Sequence, residues 1–156
     1  MIHYKRTDSS DAHFQTLVAA LDKDLAIRDG ADHAFFAQFN KINTIRHAIV
    51  AYHAEIPVGC GAIKQYDEKT MEVKRMYVVP EMRGKGIAPA VLSELEQWAK
   101  ELGYERCILE TGDKQPEAIA LYKKSNYRII PNYGQYTDIS SSTCFEKILD
   151  GSQEMI

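Results

Sequence analysis

The fold of this chain is decided by the stretch Val78-Val79-Pro80-Glu81-Met82-Arg83-Gly84-Lys85-Gly86-Ile87-Ala88. Its residue types predict a strand, a short turn, a glycine-containing loop and the start of a helix. A glycine lets the backbone approach a ligand closely because no Cβ stands in the way. The N–H groups of a helix's first turn attract anions, and Arg83 and Lys85 add positive charge at the same place. The stretch therefore predicts a site for a phosphate or pyrophosphate.

Two better-known phosphate-binding loops do not match this stretch. The chain has no G-x-x-x-x-G-K-[ST] motif, and the run that starts at Gly84 is not G-x-G-x-x-G. Taken alone, the stretch is also compatible with a glycine-rich turn between a strand and a helix that binds nothing.

The wider pattern resembles a known family. The spacing Arg83-x-x-Gly86-x-Ala88 is similar to the acetyl-CoA loop Q/R-x-x-G-x-G/A of the GCN5-related N-acetyltransferases, the GNAT family. A second segment resembles the family's N-x-x-A-x-x-x-Y-x-x-x-G-[FY] pattern, and it reads Gln115-Pro116-Glu117-Ala118-Ile119-Ala120-Leu121-Tyr122-Lys123-Lys124-Ser125-Asn126-Tyr127. Two motifs in the expected order are more specific than either alone. The resemblance runs from about Ala48 to the C-terminus.

The alternation of strands and helices predicts an α/β fold, with a mixed, mainly antiparallel sheet and helices on both faces. The resemblance implies the GNAT fold, with about six to seven strands in a single domain over residues 1–156. In that fold the fourth and fifth strands run parallel and splay apart at their C-terminal ends, and the pantetheine arm lies in the gap. Here those strands are expected at Met71–Val79 and Arg106–Thr111.

Periodicity and turn residues predict the remaining elements. They are an edge strand Ile2–Arg6, a helix Asp11–Ile27, a second helix from Asp32 to about Lys41, strands His47–His53 and Val58–Gln65, a hairpin turn Tyr66–Lys69, a helix Pro116–Ser125, and strands Tyr127–Pro131 and Thr143–Leu149. The helix after the glycine loop has an apolar stripe of Val91, Leu92, Leu95, Trp98, Ala99 and Leu102, with Gly103 as its C-cap. Asn126 replaces the family's glycine and is expected to adopt a left-handed conformation.

The resemblance implies acetyl-CoA as co-substrate. The residues that it assigns to acetyl-CoA are Met76, Tyr77, Val78, Arg83, Gly84, Lys85, Gly86, Ile87, Ala88 and Gln115. A backbone N–H at a strand bulge near Met76 to Val78 would polarise the thioester carbonyl. Gln115 stands where the family usually has asparagine, so its longer arm leaves the contact with pantetheine open.

Two residues are candidates for proton transfer. Tyr122 matches the family tyrosine that donates a proton to the departing coenzyme A sulfur, and a phenol is protonated at neutral pH. Glu72 lies four positions before Met76, where several family members place a glutamate that acts as general base. The alternatives are that Tyr122 only packs its ring and that Glu72 pairs with Lys74 or Arg75.

The resemblance places the acceptor amine between two segments, Leu25 to Asn40 and Asn132 to Thr137. Residues there or nearby that suit a small cationic amine are Asp24, Asp29, Asp32, Tyr133 and Tyr136. The end of the fifth strand, Glu110 to Gly112, could also face the cleft. Helix caps and solvated surface explain the acidic residues equally well.

Composition narrows the class of protein. The chain has 156 residues, a net charge of −3 and a pI near 5.9, which gives no electrostatic case for binding nucleic acid or an anionic membrane. The N-terminal residues do not resemble a signal peptide, and no segment is apolar enough to span a bilayer. Three widely spaced cysteines favour a reducing cytoplasm, and the five histidines lack metal-ligand spacing, so no metal site is expected. A monomer and a homodimer both remain open.

We therefore expect an N-acetyltransferase that moves an acetyl group to a primary amine of a small molecule by direct attack in a ternary complex. One alternative is a non-catalytic module that binds acyl-CoA as a sensor. Another is an enzyme that acetylates protein N-termini or lysine side chains.

Overall fold

The computed structural model describes residues 1–29, 45–113 and 115–149. The predicted helix from Asp32 to Lys41 lies outside these ranges. The elements in chain order are β1 (Ile2–Thr7), α1 (Ala12–Asp29), β2 (His47–His53), β3 (Ile56–Asp67), β4 (Thr70–Val78), α2 (Ile87–Glu101), β5 (Arg106–Gly112), α3 (Pro116–Lys124), β6 (Arg128–Ile130) and β7 (Ser142–Ile148). Single 3₁₀ turns lie at Pro80–Met82 and Gly134–Tyr136.

The strands form one seven-stranded sheet in the order β1-β2-β3-β4-β5-β7-β6. The pairs β1/β2, β2/β3, β5/β7 and β6/β7 are antiparallel, whereas β4 and β5 are parallel. The predicted mixed, mainly antiparallel sheet is therefore confirmed. The parallel register covers only Thr70 to Glu72 against Arg106 to Ile108, while β5 stays paired with β7 as far as Gly112. The parallel pairing thus involves the first three residues of β4.

Contacts between Cα atoms group the chain into two compact units. The first contains Met1–Lys64 and Val73–Leu95, and the second contains Gln65–Glu72 and Glu96–Ile156. Three elements, β3, β4 and α2, run from one unit into the other.

The first unit has helices on both faces of its strands. Phe14, Leu17 and Val18 of α1 belong to a buried cluster together with β2 and β3 side chains, including Cys60 and Ala62. Because side chains alternate along a strand, the intervening Gly61 faces the opposite side. There an added Cβ would lie 2.9 Å from atoms of Val91 and Leu95, both on α2.

The second unit has an aromatic core. Tyr122 is the buried residue of α3, and its ring lies 5.8 Å from the rings of both Tyr127 and Phe145. The Tyr127 hydroxyl donates a hydrogen bond to Glu96 over 2.9 Å, and Lys147 donates to the same carboxylate. These contacts tie the end of α2 to β7.

Two predicted helix ends are confirmed in detail. Asn126 has a φ of 72°, the left-handed conformation expected of a residue in the glycine position. Gly103 has a φ of 93° after the end of α2. One member of the predicted apolar stripe is wrong, since Leu102 is 44% exposed. It follows the last helical residue, Glu101, in the turn that Gly103 closes, and so it no longer points along the helix's buried face.

Strand ends differ slightly from the prediction. β3 extends from Ile56 to Asp67 rather than from Val58 to Gln65, so the predicted turn Tyr66–Lys69 shortens to Glu68 and Lys69. The Asp67 carboxylate accepts a hydrogen bond from the Lys69 backbone N–H over 2.9 Å. A side chain that bonds the backbone two residues on makes such a short turn possible.

Candidate active site

The loop between β4 and α2 presents a run of unused backbone donors. Gly84 and Gly86 have φ angles of 78° and 81°, which glycine adopts without strain. Among the described residues, no backbone carbonyl accepts a hydrogen bond from the N–H groups of residues 84–88. An added Cβ on either glycine would meet no protein atom within 4 Å, so this side of the loop is open. Since α2 begins here with the positive end of its dipole, the geometry suits a pyrophosphate.

Arg83 does more than add a charge to this loop. Its Nε donates a hydrogen bond to the Val78 carbonyl over 2.8 Å, and its guanidinium lies 5.5 Å from the centre of the Tyr77 ring. Both partners were assigned to the cofactor site from the sequence. The structure therefore brings Arg83 together with the end of β4, and the side chain fixes the loop to the strand. Lys85 is exposed beside it.

The end of β4 packs closely against two glycines of β3. An added Cβ at Gly61 would lie 2.5 Å from the Met76 sulfur, and one at Gly59 would lie 3.2 Å from the Tyr77 carbonyl oxygen. A side chain at Gly61 would force its neighbours to shift, whereas one at Gly59 would be tight, so both glycines favour the close packing of β4 on β3. Just before this segment, Arg75 has a φ of 61°. This left-handed conformation interrupts the regular strand geometry at Arg75. The position directly precedes the segment Met76 to Val78, near which a bulge was expected.

Arg75 has a structural role that its sequence context does not indicate, beyond a possible pairing with Glu72. Its side chain is only 3% exposed, and its Nη2 pairs with both carboxylate oxygens of Asp22 on α1, at 3.1 and 3.2 Å. Burial lowers the pKa of Arg75, and Asp22 opposes that effect. Among the residues that the structure describes, none is a hydrogen-bond partner of its Nε or Nη1. The thiol of Cys60 donates to the Arg75 carbonyl over 3.3 Å, so Arg75 links α1, β3 and β4.

Glu72 lies on the part of β4 that belongs to the second unit, and it is 7% exposed. The Tyr133 hydroxyl donates a hydrogen bond to its Oε2 over 2.6 Å. Burial, and next the Glu72 carboxylate, raise the pKa of Tyr133 far above its ordinary value. The phenol is therefore the donor and the carboxylate the acceptor. Tyr133 is thus a partner of Glu72 that the sequence did not indicate.

Tyr122 is buried, and its ring packs against other aromatic rings, as the packing alternative for this residue predicted. Burial, and to a smaller extent the Glu110 carboxylate, raise the pKa of Tyr122 above 10. The phenol therefore stays protonated over the whole neutral range, which a proton donor needs. Packing and proton donation are thus compatible for this side chain.

Of the other predicted site residues, Gln115 and Glu110 lie in the described part of the chain and have defined hydrogen bonds. Gln115 is the residue before α3, and its backbone carbonyl accepts hydrogen bonds from Ala118 and Ile119, while its side chain makes no capping bond. Glu110 accepts a hydrogen bond from the Ser142 hydroxyl over 2.7 Å. The side chains of Asp29 and Asp32 lie outside the described part of the chain. Within that part, no group of His, Cys, Asp and Glu side chains is arranged to hold a metal ion, and no helix is long and apolar enough to cross a membrane.

A sequence profile of the acetyltransferase (GNAT) family matches residues 14–127. The chain belongs to this family. A curated relative, the IAA acetyltransferase of Azospirillum brasilense, is 38% identical over 102 residues, which is 65% of this chain and 67% of the relative. Other curated relatives are matched over about half of their length.

Solved structures agree with the fold of this GNAT chain. A putative acyl-CoA N-acyltransferase from Klebsiella pneumoniae has a TM-score of 0.81 at 28% identity and is matched over 96% of this chain and 99% of its own. PaiA N-acetyltransferase from Thermoplasma acidophilum, solved in complex with coenzyme A, has a TM-score of 0.70 at 19% identity, covering 95% of this chain and 99% of that one.

The range that the GNAT profile matches separates the site residues into two groups. It contains the loop of residues 83–88, Glu72 and Tyr122, but it ends before Tyr133. The match therefore covers the part of the chain in which the candidate cofactor loop and the two candidate proton-transfer residues lie. The contact between Tyr133 and Glu72 involves the loop after β6, in which Tyr133 directly precedes the 3₁₀ turn at Gly134–Tyr136.

Proposed function

We propose that this GNAT chain transfers an acetyl group from acetyl-CoA to the primary amine of a small molecule, within a ternary complex. The main support for the proposal is the loop at residues 84–88, whose backbone N–H groups have no backbone acceptor in the described part of the chain. Two glycines with positive φ, Gly84 and Gly86, shape this loop just before α2. In this proposal both contact units are parts of one acetyltransferase domain. The three cysteines that the structure describes are free and buried, which suits a cytoplasmic protein.

The roles follow the chemistry of amide formation. Acetyl-CoA lies with its pyrophosphate on the loop amides, and Gln115 and the backbone of Met76 to Val78 contact its thioester arm. One of those backbone N–H groups stabilises the oxyanion that forms at the thioester carbonyl. Arg83 holds the loop on β4 through Val78.

Three proton transfers balance the reaction. An alkyl amine is mostly protonated at neutral pH and must lose a proton before its nitrogen attacks. Glu72 takes that proton, the new C–N bond forms, and the C–S bond breaks. As the amide forms, its nitrogen loses a second proton, which passes through solvent to restore the proton that Tyr122 gives up. Tyr122, kept protonated by burial, supplies a proton to the departing thiolate, so that coenzyme A leaves as a thiol.

A panel of primary amines tests this proposal through the release of free thiol from acetyl-CoA, with the acetylated product identified by mass spectrometry. Glu72→Gln keeps the size and polarity of the side chain but cannot accept a proton. We expect it to slow the reaction most at low pH and to recover partly at high pH, where the amine arrives already neutral. An even loss at all pH values would assign Glu72 to positioning. Binding of acetyl-CoA without any transfer would favour the sensor module.

A further inference from the structure

Arg75 has a backbone conformation that arginine rarely adopts. Its φ is 61°, in the left-handed region, where a side chain is crowded against the backbone. Strained conformations of this kind persist only where the surrounding structure holds them, and they concentrate at functional sites. Arg75 directly precedes residues 76–78, whose backbone the proposed function places at the thioester carbonyl. The conformation at Arg75 therefore sets the direction in which that segment continues.

Contacts to two other elements hold Arg75 in this conformation. Its side-chain Nη2 lies 3.1 and 3.2 Å from the two carboxylate oxygens of Asp22 on α1. Its backbone carbonyl accepts a hydrogen bond from the Cys60 thiol of β3 over 3.3 Å. Both the side chain and the backbone of this strained residue are therefore anchored.

The same helix also supports the segment that follows Arg75. Tyr77 and Val79 pack against the buried cluster that α1 forms with β2 and β3. This packing lies in the first unit, as do Arg75, Asp22 and the loop of residues 84–88. The helix α1 thus supports the end of β4 in two ways, through apolar packing and through the ion pair with Arg75.

The ion pair is a costly way to join α1 to β4. The Arg75 side chain is 3% exposed and that of Asp22 is 50% exposed, so the positive charge has lost far more hydration than the negative one. In the part of the chain that the structure describes, no group accepts a hydrogen bond from Arg75 Nε or Nη1, and buried donors without an acceptor reduce stability. An apolar side chain of similar length would fill the space without these costs. A residue that lowers stability in this way indicates a role in function.

We propose that Arg75 is a positioning residue for acetyl transfer: held by Asp22, it maintains the left-handed turn in β4 that aims a backbone N–H of residues 76–78 at the thioester carbonyl. This inference rests on the proposed function, in which that N–H stabilises the oxyanion. A donor of this kind acts only at hydrogen-bond distance from the oxyanion, so a rotation of the segment weakens it.

The expected loss follows from what such donors contribute. Removing an oxyanion donor outright typically costs ~10²–10³-fold in kcat, and displacing one costs less. Loss of the ion pair should therefore lower kcat about 10–100-fold. The affinity for coenzyme A should change little, because its pyrophosphate lies on the separate loop of residues 84–88.

The substitution Arg75→Met keeps the length of the side chain and removes its charge and its donors. We expect a Tm equal to or above that of the wild type, because the half-exposed Asp22 stays hydrated when its partner is lost. We expect kcat to fall nonetheless. A residue with a purely structural role would give the opposite pattern, a lower Tm with an unchanged kcat. An unchanged kcat overturns the proposal.

Asp22 tests the same contact from a position 53 residues away in the chain. Asp22→Asn leaves the buried charge of Arg75 without a counter-charge, so both Tm and kcat should fall. Asp22→Glu restores the carboxylate at a half-exposed position and should recover kcat. The double variant Asp22→Asn/Arg75→Met should match Arg75→Met in both quantities, because the two residues act as one. Losses of kcat that add in the double variant contradict the inference.

Lys5→Met is a matched control in the same unit. Lys5 on β1 pairs over 3.4 Å with Asp11, which lies just before α1. This pair also joins a strand to the region of α1, but it does not involve Arg75. We expect Lys5→Met to keep the wild-type kcat, and a loss equal to that in Asp22→Asn would assign the effect to a general loosening of α1.

Infrared spectra of bound acetyl-CoA, isotopically labelled at the thioester carbonyl, test the geometry without turnover. An N–H that donates to this carbonyl polarises it, so the wild type should lower its stretching frequency relative to free acetyl-CoA. Arg75→Met and Asp22→Asn should move the frequency back towards the free value, and Lys5→Met should not. A full wild-type shift in both variants overturns the role of Arg75 and leaves the oxyanion donor in place. The absence of a shift in the wild type overturns the donor itself.

Discussion

The substitution Gly86→Asp tests the cofactor loop most directly. Gly86 has a φ of 81°, and an added Cβ would meet no protein atom within 4 Å. The aspartate is therefore not excluded by the protein, and its carboxylate projects into the open space beside the loop amides. If a pyrophosphate lies there, the two negative charges meet at a separation of about 4 Å.

The expected magnitude follows from charge and backbone conformation. At an effective dielectric constant of about 20, two like charges about 4 Å apart repel by about 4 kcal/mol. Each 1.4 kcal/mol is roughly a tenfold change in Kd, so coenzyme A should bind about 10³-fold more weakly. The left-handed backbone costs a further ~1–2 kcal/mol of stability for a residue with a side chain.

Thermal unfolding with and without coenzyme A measures this loss. At a ligand concentration of about 100 times Kd, binding stabilises the wild-type chain by about 2.7 kcal/mol. For a chain of this size that corresponds to a Tm increase of about 5–10 °C. At the same concentration Gly86→Asp should show an increase of less than about 1 °C, because the ligand is then far below the new Kd.

The control for backbone strain is Gly103→Ala. Gly103 also has a positive φ, 93°, with nothing within 4 Å of an added Cβ, and it follows the C-terminal end of α2. This variant should unfold at a lower temperature but keep the full increase on adding coenzyme A. An increase in Gly86→Asp as large as that in Gly103→Ala would refute the assignment of the loop.

Three further changes have defined outcomes. Tyr122→Phe keeps the ring contacts with Tyr127 and Phe145, so kcat should fall ~10²–10⁴-fold with little change in coenzyme A affinity; an unchanged kcat under conditions where chemistry limits turnover would leave Tyr122 as a packing residue. Hydrogen bonds from Arg128, and next from Arg106, lower the pKa of Glu146, so the stability that this pairing contributes is present above the usual carboxyl range and is lost as the pH falls through the lowered pKa. Glu146→Gln should therefore have a lower Tm than wild type at pH 7 and a shrinking difference towards pH ~3, and a constant difference would argue against it. Asn126→Ala should cost about 1 kcal/mol in denaturant unfolding and Asn126→Gly nearly nothing, because only the alanine is strained at a φ of 72°; equal stabilities would show that this conformation is not needed.

The features that the sequence predicted are those with local signals. The glycine loop and the left-handed Asn126 depend on residues within a few positions of one another, and the apolar stripe of α2 depends on helical spacing. Leu102 was assigned wrongly to this stripe, because the apolar spacing continues for one residue after the helix ends at Glu101. The helix expected from Asp32 to about Lys41 stays a prediction, and so does the suggestion that Asp29 and Asp32 contact the acceptor amine.

The face on which Glu72 lies could not be obtained from strand periodicity. In a regular strand, alternation would place Glu72, Lys74 and Met76 on one face of β4. Arg75 makes β4 irregular, since a φ of 61° breaks the alternation between the two ends of the strand. Such an angle is rare for an arginine, and no local pattern indicates it. The Glu72 carboxylate accepts a hydrogen bond from a hydroxyl in a loop that follows sixty-one residues later, and no pattern near Glu72 indicates that contact. Contacts between residues so far apart in the chain become apparent only once the chain is folded.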